Sequence, residues 1–300
     1  MKQGELLNRA AKHWSGVREV GRTRWWGVPA ILRHVNRLVC GEPIEGPFAG
    51  LESRMKDMLR GGSFCQGVSV GCGNGQKELN LLKRGIVQQF DLFEISQARV
   101  DAGISLAHKY GVADRARFHV QNAFEQDLDE DYDLVYWNNA LHHMLDVNAA
   151  IRWSHDRLVV GGYFVMDDFV GPSRFQWPDD QLEIATRVRE ILPARFLVHP
   201  QEPTKCISKR LVRPSVEHMI ETDPTEAVDS ENILISLKQV FPGSNVIFTG
   251  GVIYHLALSD VLANFDDTED AALLQALLLL DETLARNQQS HYAVAIASKR

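Results

Sequence analysis

What the chain lacks bounds it first. Its four cysteines, Cys40, Cys65, Cys72 and Cys206, contain no CxxC pair, so neither a zinc site nor a disulfide framework is indicated. No apolar run approaches the roughly 20 residues of a membrane-spanning helix. The longest, Ala271 to Leu280, is interrupted by Gln275. Met1 to Trp14 has no apolar block of the signal-peptide kind, so a cytoplasmic location without a membrane partner is expected. Excess positive charge is missing as well. The formal net charge is −7 over 300 residues, which speaks against a nucleic-acid binder with a broad basic face. Repeats and low-complexity segments are absent. Hydrophobic residues make up 45% and charged residues 24%, ordinary values for a globular chain large enough to fold without covalent staples.

Charge is unevenly spread. Met1 to Gly62 holds eleven Lys/Arg against six Asp/Glu, together with Trp14, Trp25 and Trp26, while the remainder carries the acidic excess. Residues 1–62 read as a helical extension and possible lid, with Pro29 opening the apolar helix Ala30 to Val39. From Gly67 strands alternate with helices. Strands are predicted at Gly67 to Val70, Val87 to Ile95, Arg117 to Val120, Tyr132 to Trp137 and Tyr163 to Met166. The intervening helices span Gly75 to Arg84, Gln97 to Tyr110 and Val147 to Leu158. Near-continuous apolar strands in this alternation argue a parallel sheet covered on both faces. Residues 63–170 are the expected cofactor-binding core, 171–229 a substrate-side insertion, and 230–300 the completion of the sheet. In the last part, Ser230 to Val240 and Asp270 to Leu284 are predicted helices, and Asn245 to Phe248 and Tyr292 to Ile296 predicted strands. Leu273, Leu277, Leu280 and Leu284 are the expected core stripe of the final helix.

Val68-Ser69-Val70-Gly71-Cys72-Gly73-Asn74-Gly75 sets a glycine-rich turn between a strand and a helix. Glycines belong there because the chain turns sharply and a ligand must approach bare backbone. The spacing is GxGxG. A dinucleotide GxGxxG would need glycine where Gln76 stands. Glu94, followed by Ile95, puts a carboxylate at the carboxyl end of the second strand. There it can accept both ribose hydroxyls of an adenosine ligand.

On these residues the chain resembles the class I S-adenosylmethionine-dependent methyltransferases of small-molecule type, from about Phe64 to Phe169 and more weakly to the end. Gly71, Gly73 and Gly75, with Cys72 among them, match the family's first motif, and Glu94 its acidic ribose ligand. Gln121-Asn122-Ala123 is similar to the segment flanking the adenine, with Asn122 where members often carry Asp. Trp137-Asn138-Asn139-Ala140-Leu141-His142-His143 resembles the fourth-strand motif in which "LHH" follows the strand, and Gly161-Gly162-Tyr163-Phe164 the glycine turn before the fifth. The resemblance implies S-adenosylmethionine as cofactor, with Asn138 and Asn139 beside it. It also implies a seven-stranded doubly wound, mostly parallel sheet of order 3-2-1-4-5-7-6, its seventh strand antiparallel. Insertions would follow strands five and six.

Methyl transfer to a hydroxyl benefits from a base, and an amine acceptor must arrive unprotonated. His143 is the preferred base and His142 the second candidate, since His142 follows Leu141 and is expected to turn inward. Asp168 could orient a histidine or cap a helix. An Mg²⁺ site at Asp167 and Asp168 with Asn138 or Asn139 lacks a third carboxylate, so no metal is expected. Arg174 and Trp177 are candidates for the pocket mouth, offering a planar donor and an apolar wall. Trp14 and Trp25 are candidates within the lid. The function expected is methyl transfer to O or N of a small molecule. A nicotinamide-dependent oxidoreductase and a non-catalytic cofactor-binding protein of the same fold are the alternatives.

Overall fold

The computed structural model describes residues 3–16, 24–126 and 131–300. Seven strands lie in one sheet: β1 (Phe64–Val70), β2 (Val87–Glu94), β3 (Ala116–Val120), β4 (Tyr132–Asn138), β5 (Leu158–Phe169), β6 (Asn245–Gly250) and β7 (Tyr292–Ser298). Their order is β3-β2-β1-β4-β5-β7-β6. The first five are parallel, and β7 runs antiparallel to both β5 and β6. This is the class I methyltransferase topology that the motifs implied. Val68, Leu134, Val135, Trp137, Phe164, Val165 and Met166 are completely buried, as central strands must be when helices cover both faces.

The covering helices include α4 (Gln76–Lys83), α5 (Gln97–Tyr110) and α6 (Val147–Arg157) within the alternating part. Ahead of it come α1 (Gln3–Gly16), α2 (Pro29–Cys40) and α3 (Ala49–Leu59). Pro29 opens α2 and Gly41 closes it at φ +88, the expected asymmetry of helix ends. After β5 follow α7 (Asp179–Ile191), α8 (Val216–Thr222) and α9 (Ile233–Val240), and α10 (Ala271–Arg286) separates β6 from β7. Among the described residues no helix is long and apolar enough to cross a membrane.

Two expectations are corrected. Gly161-Gly162 is not a turn ahead of the fifth strand but lies inside β5, which begins directly where α6 ends. The register jumps there, from Tyr132 opposite Leu158 to Leu134 opposite Tyr163, and Gly161 takes φ +83 while donating to Lys299 O at 2.7 Å. The glycines serve a bulge, where an extra stretch of one strand needs left-handed backbone. The buried stripe of α10 is also rotated from the one expected. Leu274, Leu277, Leu278, Asp281 and Ala285 face inward, and Leu280 is 39% exposed. The reason is Asp281. Its carboxylate accepts hydrogen bonds from Gly251 N and Ile253 N at 2.8 and 2.9 Å, satisfying the start of a π-helical segment, Val252–Ala257, and this sets the inward face of the helix.

Candidate active site

The carboxyl edge of the sheet gathers two sets of residues. The first is made largely of backbone. Gly71, Gly73 and Gly75 all sit in the left-handed region, at φ +67, +60 and +66. A Cβ on Gly75 would lie 3.0 Å from the Phe118 ring, and one on Gly73 3.0 Å from an Arg99 guanidinium nitrogen, so side chains there would be both strained and crowded. Glu94 is 7% exposed. It accepts hydrogen bonds from Gly73 N and Ser96 N, each at 2.9 Å, which ties the end of β2 to the loop. Burial raises its pKa above the usual carboxylate range, while the Ser96 and Gly73 amides pull it back down. Ile95 is half-buried beside it. Asn122 caps a short turn by accepting from Phe124 N, and Ala123 is fully buried, leaving backbone as what it can offer a ligand. Bare loop backbone beside a buried carboxylate fits an adenosine ligand: Gly71, Gly73 and Gly75 permit close approach, and Glu94 can receive ribose hydroxyls.

The second set is made of side chains. Asp168 is completely buried at the end of β5. One oxygen accepts from Ala140 N and Leu141 N, both at 2.9 Å. The other accepts from Phe169 N at 2.9 Å and from His142 Nδ1 at 2.5 Å. These donors hold the carboxyl ionised: burial would raise its pKa, but the His142 ring and the amides outweigh it and the net direction is down. The partner shift is consistent. Burial alone would lower His142, yet the carboxylates of Asp168 and Glu226 hold its pKa above the ordinary value. With Nδ1 donating to Asp168, the lone pair of neutral His142 is on Nε2, 3.7 Å from Glu226 Oε1.

His143 lies against His142, ring centroids 4.1 Å apart. Its Nδ1 is 3.2 Å from Thr225 Oγ1, which donates in turn to Asp223 Oδ1 at 2.8 Å. Burial, reinforced by the field of His142, drives its pKa well below the ordinary value. The two sets meet at one point: a Cβ on Gly71 would touch Ala140 Cβ at 3.3 Å, one residue before the Leu141–His143 turn.

The other candidates are distributed differently from the expectation. Asn138 is buried, donates to Tyr136 OH at 2.8 Å, and its carbonyl accepts from Lys77 Nζ at 2.5 Å. Asn139, at φ +50, donates from its side chain to Asn138 Oδ1. Asp167 and Asp168 are consecutive in β5 and so point to opposite faces, which separates them as ligands of one ion. The Asp167 carboxyl is pushed up to about 7, by burial first and by the neighbouring Asp168 charge. Arg174 does not present its guanidinium to the pocket mouth. It donates to the carbonyls of Asp223, Pro224 and Glu226 at 2.7–3.4 Å, clamping the segment that faces the histidines. Trp177 is 4% exposed and stacks on Phe175 and His291. Trp25 packs in the core against Tyr254 and Tyr292. Both tryptophans sit behind Phe169, whose ring lies against His142, because their rings bury more apolar area there than at a rim. The Trp14 side chain lies outside the described residues. His13 of α1 reaches the site, with Nε2 3.8 Å from Asp223 Oδ2, and Arg9 donates to Ile220 O at 3.1 Å.

Sequence reading missed Asp223, Thr225 and Glu226. They sit in a Pro-rich stretch with no periodicity, eighty or more positions from the histidines, and nothing local marks them. Lys77 was missed for another reason: as the residue after Gln76 it reads as an ordinary helix charge. In the fold it lies against Asn138 O, and burial lowers its pKa.

Comparison with known proteins bears on the domain and the fold. Residues 68–164 match the family model described as a methyltransferase domain. A 27-O-demethylrifamycin SV methyltransferase of Amycolatopsis mediterranei (strain S699) is 32% identical over 126 residues, covering 41% of this chain and 44% of that protein. The chain therefore spans less than half the length of the curated relative it matches. Among solved structures, a geranyl diphosphate methyltransferase in complex with GPP and sinefungin aligns over 98% of this chain and 100% of its own, at 14% identity and TM-score 0.56. The geranyl diphosphate C-methyltransferase of Streptomyces coelicolor A3(2), bound to Mg²⁺, geranyl diphosphate and S-adenosyl-L-homocysteine, aligns over 100% of both chains at 14% identity and TM-score 0.53. At such identities the likeness is one of fold.

Proposed function

We propose that this chain, whose residues 68–164 match a methyltransferase-domain model, moves the methyl group of S-adenosylmethionine to an oxygen or nitrogen of a small molecule, with His142 rather than His143 as the base. The carrying observation is the Asp168–His142 pair at 2.5 Å, set at the sheet edge one contact away from the glycine loop. The cofactor supplies an electrophilic methyl group on a sulfonium, displaced in line. The loop backbone and Glu94 would hold it, with Asn138 and Asn139 as the neighbouring candidates. Asp168 fixes the tautomer of His142 and stabilises the imidazolium formed when Nε2 takes the acceptor's proton, the division of labour between a buried carboxylate and an imidazole base. His143, tied to Thr225, packs beside it and positions the acceptor. Buried aromatic walls exclude water, which in-line displacement rewards.

In this reading residues 63–170 serve the cofactor, while 1–62 and 171–229 cover the acceptor, the contact of His13 with Asp223 being the link between them. The match of residues 68–164 to a methyltransferase-domain model disfavours the nicotinamide alternative. Incubating the protein with methyl-labelled cofactor and a metabolite extract, then identifying labelled products by mass spectrometry, tests the assignment. A labelled product that disappears in His142→Ala is the expected result. Tight NAD(H) binding with no S-adenosylhomocysteine binding in calorimetry overturns it.

A further inference from the structure

Among the described residues, one group has the donors and spacing of a metal site, and it is not the aspartate pair considered from the sequence. His142, His143 and Glu226 each offer a ligand atom, and the three atoms lie within 4.8 Å of one another. Bonds of about 2.1 Å place neighbouring ligands of a tetrahedral ion about 3.4 Å apart, and Glu226 Oε1 already lies 3.7 Å from His142 Nε2. Two further features distinguish it from a chance cluster. His142 is backed by the Asp168 carboxylate on Nδ1, which leaves Nε2 directed at Glu226, and His143 is backed by Thr225 and, through it, by Asp223. Imidazole ligands oriented from behind by carboxylates or hydroxyls are the usual second layer of a metal site. The Glu226 backbone is itself anchored, since its carbonyl accepts from Arg174 at 3.1 Å.

We infer that His142, His143 and Glu226 bind a borderline transition-metal dication, Zn²⁺ or Co²⁺, and that binding switches the base off. Two imidazoles and one carboxylate suit such ions better than Mg²⁺, which prefers an all-oxygen shell. The metal takes the Nε2 lone pair that would accept the acceptor's proton, so metal and proton compete for one atom. Binding itself stands apart from the catalytic reading; only its consequence for turnover rests on that reading.

The test uses untagged full-length protein stripped by chelation. Calorimetry with Zn²⁺ should show one equivalent bound, and Co²⁺ should give a visible d–d absorption. Glu226→Gln and His142→Gln should each weaken binding by at least about tenfold, and Thr225→Val by about tenfold through loss of the orienting contact. S-adenosylhomocysteine affinity should be unchanged in all three. Absence of Zn²⁺ binding, or binding indifferent to Glu226→Gln and His142→Gln, overturns the site. With labelled acceptor in hand, one equivalent of Zn²⁺ should suppress turnover and chelation restore it. Activation by Zn²⁺ would overturn the inhibitory assignment and the base role of His142 while leaving the metal site intact.

Discussion

The two halves of the candidate site are built in opposite ways. The cofactor half is a continuous piece of chain, Gly71 to Gly75, closed by one carboxylate from the adjacent strand, and its ligands are mostly backbone. The acceptor half joins the end of β4, the end of β5 and residues 223–226, and its ligands are side chains that orient one another: Asp168 on His142, Asp223 on Thr225, Thr225 on His143. The lesson is that a backbone site tolerates little change at few positions, whereas a side-chain site depends on many residues, each separately replaceable. Ionisable groups are concentrated on the acceptor side, so pH and metals should act there.

The largest expected effect separates the halves by activity against binding. His142→Ala should lower kcat by about 10²–10⁴-fold, the range for a lost general base, with S-adenosylhomocysteine affinity unchanged. His143→Ala should cost about tenfold or less, as expected for a positioning residue that holds no transferred proton. Equal losses in the two variants would erase the distinction drawn between the histidines.

Next comes pH-dependent stability, predicted from the buried carboxylate under the π-helical segment, outside both halves. Asp281 is fully buried, and burial pushes its carboxyl up to about 6 from 3.8. Between these values the unfolded chain has released a proton that the native state keeps, so stability falls as pH rises. The loss amounts to about 2–4 kcal/mol once both states are ionised. Asp281→Asn lacks this slope. The difference in melting temperature between wild type and variant should therefore narrow from pH 4 to pH 7, and a constant gap would show that Asp281 does not titrate in this range.

Glu94→Ala then reports on the cofactor half alone. It removes the acceptor of Gly73 N and Ser96 N and should weaken S-adenosylhomocysteine binding by about 1–3 kcal/mol, measured by calorimetry. Zn²⁺ affinity should be untouched. The smallest effect is expected from Arg174→Ala. Releasing the carbonyls of Asp223, Pro224 and Glu226 should cost about 1–2 kcal/mol in denaturant unfolding, and should raise the acceptor KM without altering cofactor affinity. A change in cofactor affinity would mean that the clamp reaches across both halves.

What could be read beforehand follows the same division. The glycine loop and Glu94 were accessible because each depends on a short contiguous pattern with strict backbone demands, and the strand order followed from the family resemblance that those motifs carry. The bulge at Gly161 was hidden because a glycine pair signals left-handed backbone without saying whether a turn or a bulge uses it. The inward face of α10 was misjudged because leucines recur at nearly every position there, so periodicity left the choice open until Asp281 was placed under the π-helical segment. Arg174 and Trp177 were expected at the pocket, yet a planar donor serves three carbonyls as readily as a ligand.

The amino-acid sequence by itself pointed to an alternating, mostly parallel sheet and to the glycine loop with Glu94 as the candidate place for an adenosine ligand, because local propensity, glycine conformation and apolar alternation act over a few residues. The strand order came only with the family resemblance that those motifs carry. Only the tertiary structure decided which histidine is the one proposed as the base. That choice depends on Asp168 reaching Nδ1 of one ring and Thr225 the other, and on Arg174 holding Glu226 opposite them. Those contacts join positions that are 26 and 82 residues apart, and nothing in the chain ties them together until burial of the sheet brings them to one edge.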